Sequence, residues 1–289
     1  MKIIDSAPEI RRHLDEARRR GRSVGLVPTM GALHRGHATL IEHARTECDC
    51  VVVSIFVNPL QFGPAEDYAR YPRSLDKDAA ICDEQQVDFI FAPTVAEMYP
   101  GPQAAFVEVE RLGEHLCGAY RPGHFRGVAT VVLKLFNVVQ PDRAYFGEKD
   151  YQQLAIIRRM TQDLNLTIAI AATPTVREDD GLALSSRNAY LTAEERRSAP
   201  ALYRALKAAR DLIESGESDS ETIKQEALRV LAEEPALRVQ YLEIVDPMEV
   251  QPVNVVEGPV RIAAAAFLGA TRLIDNIEAR FNKPGSKQP

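Results

Sequence analysis

The chain has 289 residues, 45% of them hydrophobic and 26% charged, with a formal net charge of −6 and no tryptophan. That length accommodates one large or two modest domains, each with its own core. The acidic balance argues against a general nucleic-acid binder, and no apolar stretch approaches the roughly 20 residues that a membrane span needs.

The N-terminal text MKIIDSAPEIRRHLDEARRR mixes acids with bases and lacks an apolar h-region, so it reads as mature structure rather than a targeting peptide. Ser6 and Glu9 stand at capping-box spacing, and Ile10, Leu14 and Ala17 follow at helical intervals, so the chain is expected to start with a helix. Arg18, Arg19 and Arg20 could form a small basic patch, but they end this helix just before Gly21, where cations favour the negative end of the dipole, and that is the preferred reading. Short apolar runs follow at 23–29, 50–57, 87–92, 143–147 and 166–172, with helical patterns at 36–47, 75–86 and 124–139 between them. Runs that are apolar throughout and separated by helices imply a parallel sheet covered on both faces. The texture changes after about residue 176: a long helix over 192–214 capped by Thr192, the polar loop SGESDSE, a second helix to about 234, then the strand-like LRVQYLEIVD and PVRIAAAAFLGATRLIDNI. The last seven residues, KPGSKQP, read as a frayed tail. Cys48, Cys50, Cys82 and Cys117 form no CxxC pair and read as free thiols of a reducing cytoplasm.

Polar, glycine-bearing segments follow the C-terminal ends of the expected strands: PTMGALHRGH, NPLQFGPAEDYARYPR, GEKDYQQL and TPTVREDDGLALSSRN. Ligands of open parallel α/β sheets bind outside those ends, so the four loops are expected to meet at one site. In the first loop, Gly31 and Gly36 permit close backbone approach, and a helix beginning near Gly36 aims its N–H groups at an anion. His34 and His37 add imidazole donors suited to oxygens that gain negative charge. Two other readings stay open at this point: a metal site, for which no Cys/His cluster supplies further ligands, and a pair of packed histidines. Lys149 is a point charge for phosphate beside Asp150, a hard oxygen ligand for magnesium, and a solvated helix cap is the competing account. Ser185 and Ser186 present hydroxyls ahead of Arg187, whose guanidinium can grip a phosphate bidentately. Asn58 and Gln61, beside Phe62, suit hydroxyls or a carboxylate edge better than proton transfer, although a turn around Pro59 also accounts for them. P-loop, GxGxxG and GxSxG motifs are absent.

HRGH after a first strand resembles the HxGH phosphate-binding turn of the nucleotidyltransferase superfamily. PTMGALHRGH, FVNPLQF, YPR, RPGHFRGVATVV, FGEKDYQQL and GLALSSRN, in that order and spanning essentially the whole chain, resemble the pantoate–β-alanine ligase family. The resemblance implies an α/β fold with a Rossmann-like parallel-sheet domain over 1–176 and a smaller α+β domain over 177–289 covering the active site. It also implies a cytoplasmic, homodimeric ligase that uses ATP and Mg2+ to join pantoate to β-alanine through a pantoyl adenylate, with neither nucleic acid nor membrane as partner.

By the same resemblance His34, His37, Lys149 and Arg187 are catalytic, with His37 as proton donor. Met30, Gly31, Ala32, Leu33, Arg35 and Gly36 line the nucleotide together with Gly147, Glu148, Asp150, Val176, Leu184, Ser185 and Ser186. Gln61 and Gln153 hold pantoate, with Asn58 nearby and Pro28, Met30 and Phe62 as apolar walls, while Asp150 and Asp78 are the magnesium candidates. Family members often carry Met at Leu184, a swap that roughly conserves volume. Arg121 and His124 border the site or simply form the turn into the helix at 124–139.

Overall fold

Apolar runs with no polar alternation must be covered on both faces, and that is how they are used. The structure, a computed structural model, describes residues 1–64 and 66–282. In chain order the elements are β1 (Lys2–Ile4), α1 (Ala7–Arg19), β2 (Val24–Thr29), α2 (Arg35–Glu47), β3 (Cys50–Ile55), α3 (Leu75–Glu84), β4 (Phe89–Phe91), α4 (Val95–Met98), α5 (Cys117–Tyr120), α6 (His124–Val139), β5 (Arg143–Gly147), α7 (Tyr151–Asp163) and β6 (Ala169–Thr173). Then come α8 (Ala193–Ser198), α9 (Ala201–Glu214), α10 (Ser220–Leu231), β7 (Leu237–Val245), β8 (Pro259–Leu268) and β9 (Thr271–Arg280). Short 3-10 turns occupy Pro59–Gln61, Glu148–Asp150 and Ser186–Tyr190. The chain forms two units. The first comprises Met1–Glu110, Tyr120–Glu148 and Ile156–Thr175; the second comprises Arg111–Ala119, Lys149–Ala155 and everything from Val176 onward.

The first unit is built on a six-stranded sheet of order β1-β4-β3-β2-β5-β6, parallel throughout. On one face Leu40, Ile41 and Ala44 of α2 and Cys82 of α3 pack over Val27, Val51, Val53, Ile90 and Tyr145. Helices α1 and α6 lie against β2 and one another. The chain starts with a strand, not with a helix: among the described residues β1 pairs only with β4, Ile3 opposite Ile90, and three residues are too few to carry a periodic signal. Ser6 does cap α1, but its side chain makes no capping bond, and the N–H of Ala7 donates instead to Glu97 Oε1 at 2.8 Å.

The second unit carries a three-stranded antiparallel sheet, β7-β8-β9, with a bulge between Val239 and Tyr241. Leu206, Ala209 and Ile213 of α9 and Ile223, Ala227 and Leu231 of α10 share one apolar core with Leu242, Ile244, Ile262, Ala264, Leu273 and Ile277. The single helix expected over 192–214 is two, α8 and α9, divided at Pro200. Proline has no N–H to donate and its ring meets the carbonyl of the preceding turn. Thr192 caps α8 in a complete box: its hydroxyl accepts from the Glu195 N–H at 3.2 Å and Glu195 returns a bond to the Thr192 N–H at 2.8 Å. All four cysteines are buried free thiols, and burial pushes Cys50 up to about 11 and Cys82 up to about 12. Among the described residues no helix is long and apolar enough to cross a membrane. The tail at 283–289 lies outside the described residues.

Candidate active site

Strand β2 has β3 and β4 on one side and β5 and β6 on the other, so the reversal of strand order falls at its C-terminal end. The chain leaving that end makes a tight turn. Gly31 has φ +80°, and a Cβ there would lie 2.8 Å from Asp78 Oδ2, so both the backbone angle and the space require glycine. Ala32 follows at φ 51°, a costly conformation for a residue with a Cβ. Asp78, on α3 and 2% exposed, holds the strained segment: Oδ2 accepts from the Ala32 N–H at 3.0 Å and Oδ1 from the Leu33 N–H at 2.7 Å. Burial raises this carboxyl above its usual range, and the two backbone bonds only partly oppose the rise.

The turn delivers His34 as the N-cap of α2. His34 Nδ1 accepts the Gly36 N–H at 3.1 Å, and His37 Nδ1 accepts the His34 N–H at 3.3 Å, a reciprocal capping box made of two imidazoles. A neutral ring that accepts at Nδ1 carries its proton on Nε2, so both histidines are set as Nε2–H donors. The ring centroids are 4.1 Å apart. Gly36 and His37 lie in the first turn of α2, while Arg35 is exposed.

A second cluster forms after β3. Asn58, 1% exposed, uses its whole amide: Nδ2 donates to Gln61 Oε1 at 3.2 Å and to the Gly127 carbonyl at 3.1 Å, while Oδ1 accepts from the Leu60 N–H and the Tyr99 hydroxyl. Gln61 Nε2 donates to Met30 Sδ at 3.1 Å, which links the two loops. The Gln61 carbonyl accepts from His124 Nδ1 at 2.8 Å; His124 Nε2 accepts from Arg121 at 3.0 Å, and Glu66 holds Arg121 through two bonds. Burial acts to raise the Glu66 carboxyl, but Arg121 outweighs it and keeps the group below the usual range. Phe62 packs edge-on to Tyr68 and Tyr71, and Pro28 is half-buried in β2. Sequence reasoning missed Glu66, Tyr99 and Gly127. Only Gly127 left a signal: it is a glycine inside a helix, and a Cβ there would come 2.2 Å from the Leu60 carbonyl oxygen.

Gly147 and Glu148 end the β5 segment of the first unit, whereas Lys149, Asp150, Gln153, Val176 and Leu184 to Arg187 belong to the second. Lys149 Nζ lies 3.7 Å from Asp150 Oδ2. Gln152 is buried and ties down the 112–117 segment through Leu112, His115 and Cys117, while its neighbour Gln153 is half-buried. The Leu184 N–H donates to the Val176 carbonyl at 3.0 Å, and Ser185 caps the turn that carries Ser186 and Arg187. Asp78 and Asp150 sit in different units, and the described residues contain no group of three His, Cys, Asp or Glu that could hold a metal ion.

A parallel sheet whose switch point opens onto an imidazole-capped helix N-terminus defines a nucleotide-binding α/β protein. The family model for pantoate-beta-alanine ligase matches residues 2–278. Pantothenate synthetase of Heliobacterium modesticaldum is 54% identical over 96% of this chain and 99% of its own length, and that of Moorella thermoacetica is 52% identical over 98% and 100%. The crystal structure of the Thermus thermophilus pantothenate synthetase superposes with a TM-score of 0.91 at 50% identity, covering 96% of this chain and 99% of that one. The Francisella tularensis pantoate-beta-alanine ligase, solved in complex with beta-gamma ATP and beta-alanine, superposes with a TM-score of 0.80 at 36% identity, over 96% and 97%. The chain belongs to the pantoate–β-alanine ligase family.

Proposed function

We infer that this protein is an ATP-dependent ligase that forms pantothenate from pantoate and β-alanine, the activity of the family to which it belongs. In the first step a pantoate carboxylate oxygen attacks the α-phosphorus of ATP, giving pantoyl adenylate and expelling pyrophosphate. In the second the β-alanine amine attacks the acyl carbon, the C–O bond to AMP breaks, and the amine's proton is lost. Neither step needs a protein nucleophile; both need anions brought into line and growing negative charge stabilised.

The observation that best supports the roles of individual residues is the imidazole capping box. It sets both neutral imidazoles to present Nε2–H at the positive end of α2, a pairing suited to phosphate oxygens. In this reading His34 and His37 bind the ATP phosphates, with His37 donating to the oxygen that gains charge. Residues 30–36, Gly147 and Glu148 line the nucleotide, and Lys149, Asp150, Val176, Leu184, Ser185, Ser186 and Arg187 are the second unit's ATP ligands. Gln61 and Gln153 hold pantoate against Pro28, Met30 and Phe62, while Asn58, its amide fully engaged, acts by orienting Gln61.

We propose Mg2+ as cofactor. The donor set fits a cation carried mainly by ATP oxygens and water: Asp78 keeps both oxygens on backbone N–H groups, which leaves Asp150 as the better protein ligand. Bound there, the ion would offset phosphate charge. A cytoplasmic homodimer is proposed with the same family reading.

Pantoate-dependent exchange of pyrophosphate into ATP, followed by AMP release on adding β-alanine, tests the assignment. Exchange that ignores pantoate, or adenylate that persists when β-alanine is added, would contradict it.

A further inference from the structure

The second unit grips the Lys149 segment and the approach to Arg187 from a single strand. Asn276 and Asp275 are neighbours on β9, and neighbours on a strand face opposite sides of the sheet. Asn276 is 4% exposed: Nδ2 donates to the Lys149 carbonyl at 2.9 Å, and Oδ1 accepts from Arg261 Nη1 at 3.3 Å. Arg261 also stacks its guanidinium 4.0 Å from the ring centroid of Tyr151, two residues beyond Lys149. Asp275, also 4% exposed, takes both guanidinium ends of Arg177, at 2.6 and 2.8 Å. Arg177 donates in turn to the Gly181 carbonyl at 3.0 Å and lies 3.9 Å from the Tyr203 ring centroid. The hairpin it stiffens, closed by the Arg177–Ala183 bridge, runs directly into Leu184–Arg187. The Asp275 carboxylate also accepts the Asn276 N–H at 2.7 Å, so the two anchors are coupled.

We propose that Asn276 and Asp275 are positioning residues for the adenylation step, Asn276 setting the main-chain register of Lys149 and Asp275, through Arg177, that of the 184–187 segment. Neither touches substrate; each fixes the base from which a cationic side chain reaches out. A long side chain anchored this way searches fewer conformations, and small misplacements of such groups are expensive in rate. The proposal rests on the reading of Lys149 and Arg187 as ATP ligands.

Asn276→Asp keeps the size of the side chain and the acceptor for Arg261 but faces the Lys149 carbonyl with an oxygen in place of an N–H. Measured as pantoate-dependent pyrophosphate exchange on the full-length protein, it should lose roughly 10- to 100-fold in rate. If the effect passes through Lys149, the double variant with Lys149→Ala will be within about twofold of Lys149→Ala alone. Asn276→Ser, uncharged and smaller, gives the same comparison should the aspartate variant fail to fold, as judged by thermal melting. For the other arm, Asp275, whose carboxylate also holds the Asn276 N–H, is tested as Asp275→Asn, which should lose less rate in the Arg187→Ala background than in the parent; an equal loss in both overturns that arm. Parental exchange in Asn276→Asp beside a crippled Lys149→Ala, or losses that simply multiply in the double variant, overturn the proposal. Parental exchange in Lys149→Ala overturns the ATP-ligand reading itself, which is a separate result.

Discussion

Replacing Gly127 with alanine separates a helix-propensity effect from a site effect. Inside a helix, alanine is favoured over glycine by about 0.5–1 kcal/mol, so local propensity alone predicts a more stable protein. The structure predicts the reverse. The new Cβ would stand 2.2 Å from the Leu60 carbonyl oxygen, 2.5 Å from its carbon and 2.7 Å from the Gln61 nitrogen, all backbone atoms. Ordinary contact requires an opening of about 1 Å between α6 and the Pro59–Gln61 turn. Overpacking of this kind costs typically 1–3 kcal/mol, which leaves a net destabilisation of about 1 kcal/mol after the propensity gain. The displaced turn carries Gln61, and its partner Asn58 bonds directly to the Gly127 carbonyl. A shift of about 1 Å in a positioning group lowers rate by roughly 100-fold, so the larger consequence falls on pantoate use. Thermal melting should show Tm lowered by roughly 2–4 °C, and AMP release against pantoate concentration should show a raised KM and lower turnover. A variant at least as stable as the parent, with unchanged pantoate kinetics, would refute the packing argument.

His34→Asn retains a good N-cap residue, so stability should change by less than about 0.5 kcal/mol while turnover falls by roughly 100-fold; full turnover would mean that the imidazole serves only the cap. Asp78→Ala leaves the Ala32 and Leu33 N–H groups without their acceptor and should destabilise the protein by about 2 kcal/mol in urea unfolding, with weaker ATP binding. Unchanged ATP binding in a folded Asp78→Ala protein would dissociate the tether from the nucleotide turn. Burial tends to raise Asp88, but the Val51 N–H and the guanidiniums of Arg22 and Arg45 hold it below the usual carboxylate range. Its stabilisation is therefore present above the unfolded pKa of about 4 and lost as pH falls through the folded value. Asp88→Asn should lower stability by about 1–3 kcal/mol at neutral pH, and the gap from the parent should close in acid; a gap independent of pH would contradict the sign.

Much of the fold was legible because its signals are local. Val24–Thr29, Cys50–Ile55 and Arg143–Gly147 announce themselves as strands buried along most of their length, since a parallel sheet between two helical layers leaves little room for polar residues. The histidines of HRGH were legible for a similar reason: glycine, a strand end and a helix start lie within ten residues. The supports of the site were not. Asp78 holds Ala32 from 46 positions away, and Gly127 meets Leu60 only because α6 packs on the 58–61 turn. The short segments 149–155 and 111–119 join the second unit through long-range contacts, such as the Tyr151 hydroxyl on the Pro247 carbonyl and the Gln251 amide on the Arg111 carbonyl.

The clearest division lies between two nearly identical stretches. Ser6–Glu9 and Thr192–Glu195 both show the capping-box spacing, and both precede helices, so local chemistry determined that a helix starts at each. Only Thr192 closes its box; at Ala7 the open N–H is taken by Glu97, 90 residues along the chain. Composition and period set which segments become strands and helices, because propensity and burial act over a few residues. Which donor meets which acceptor, and so which Nδ1, amide or carboxylate remains for chemistry, depends on pairings across long stretches of chain that exist only once the sheet has formed.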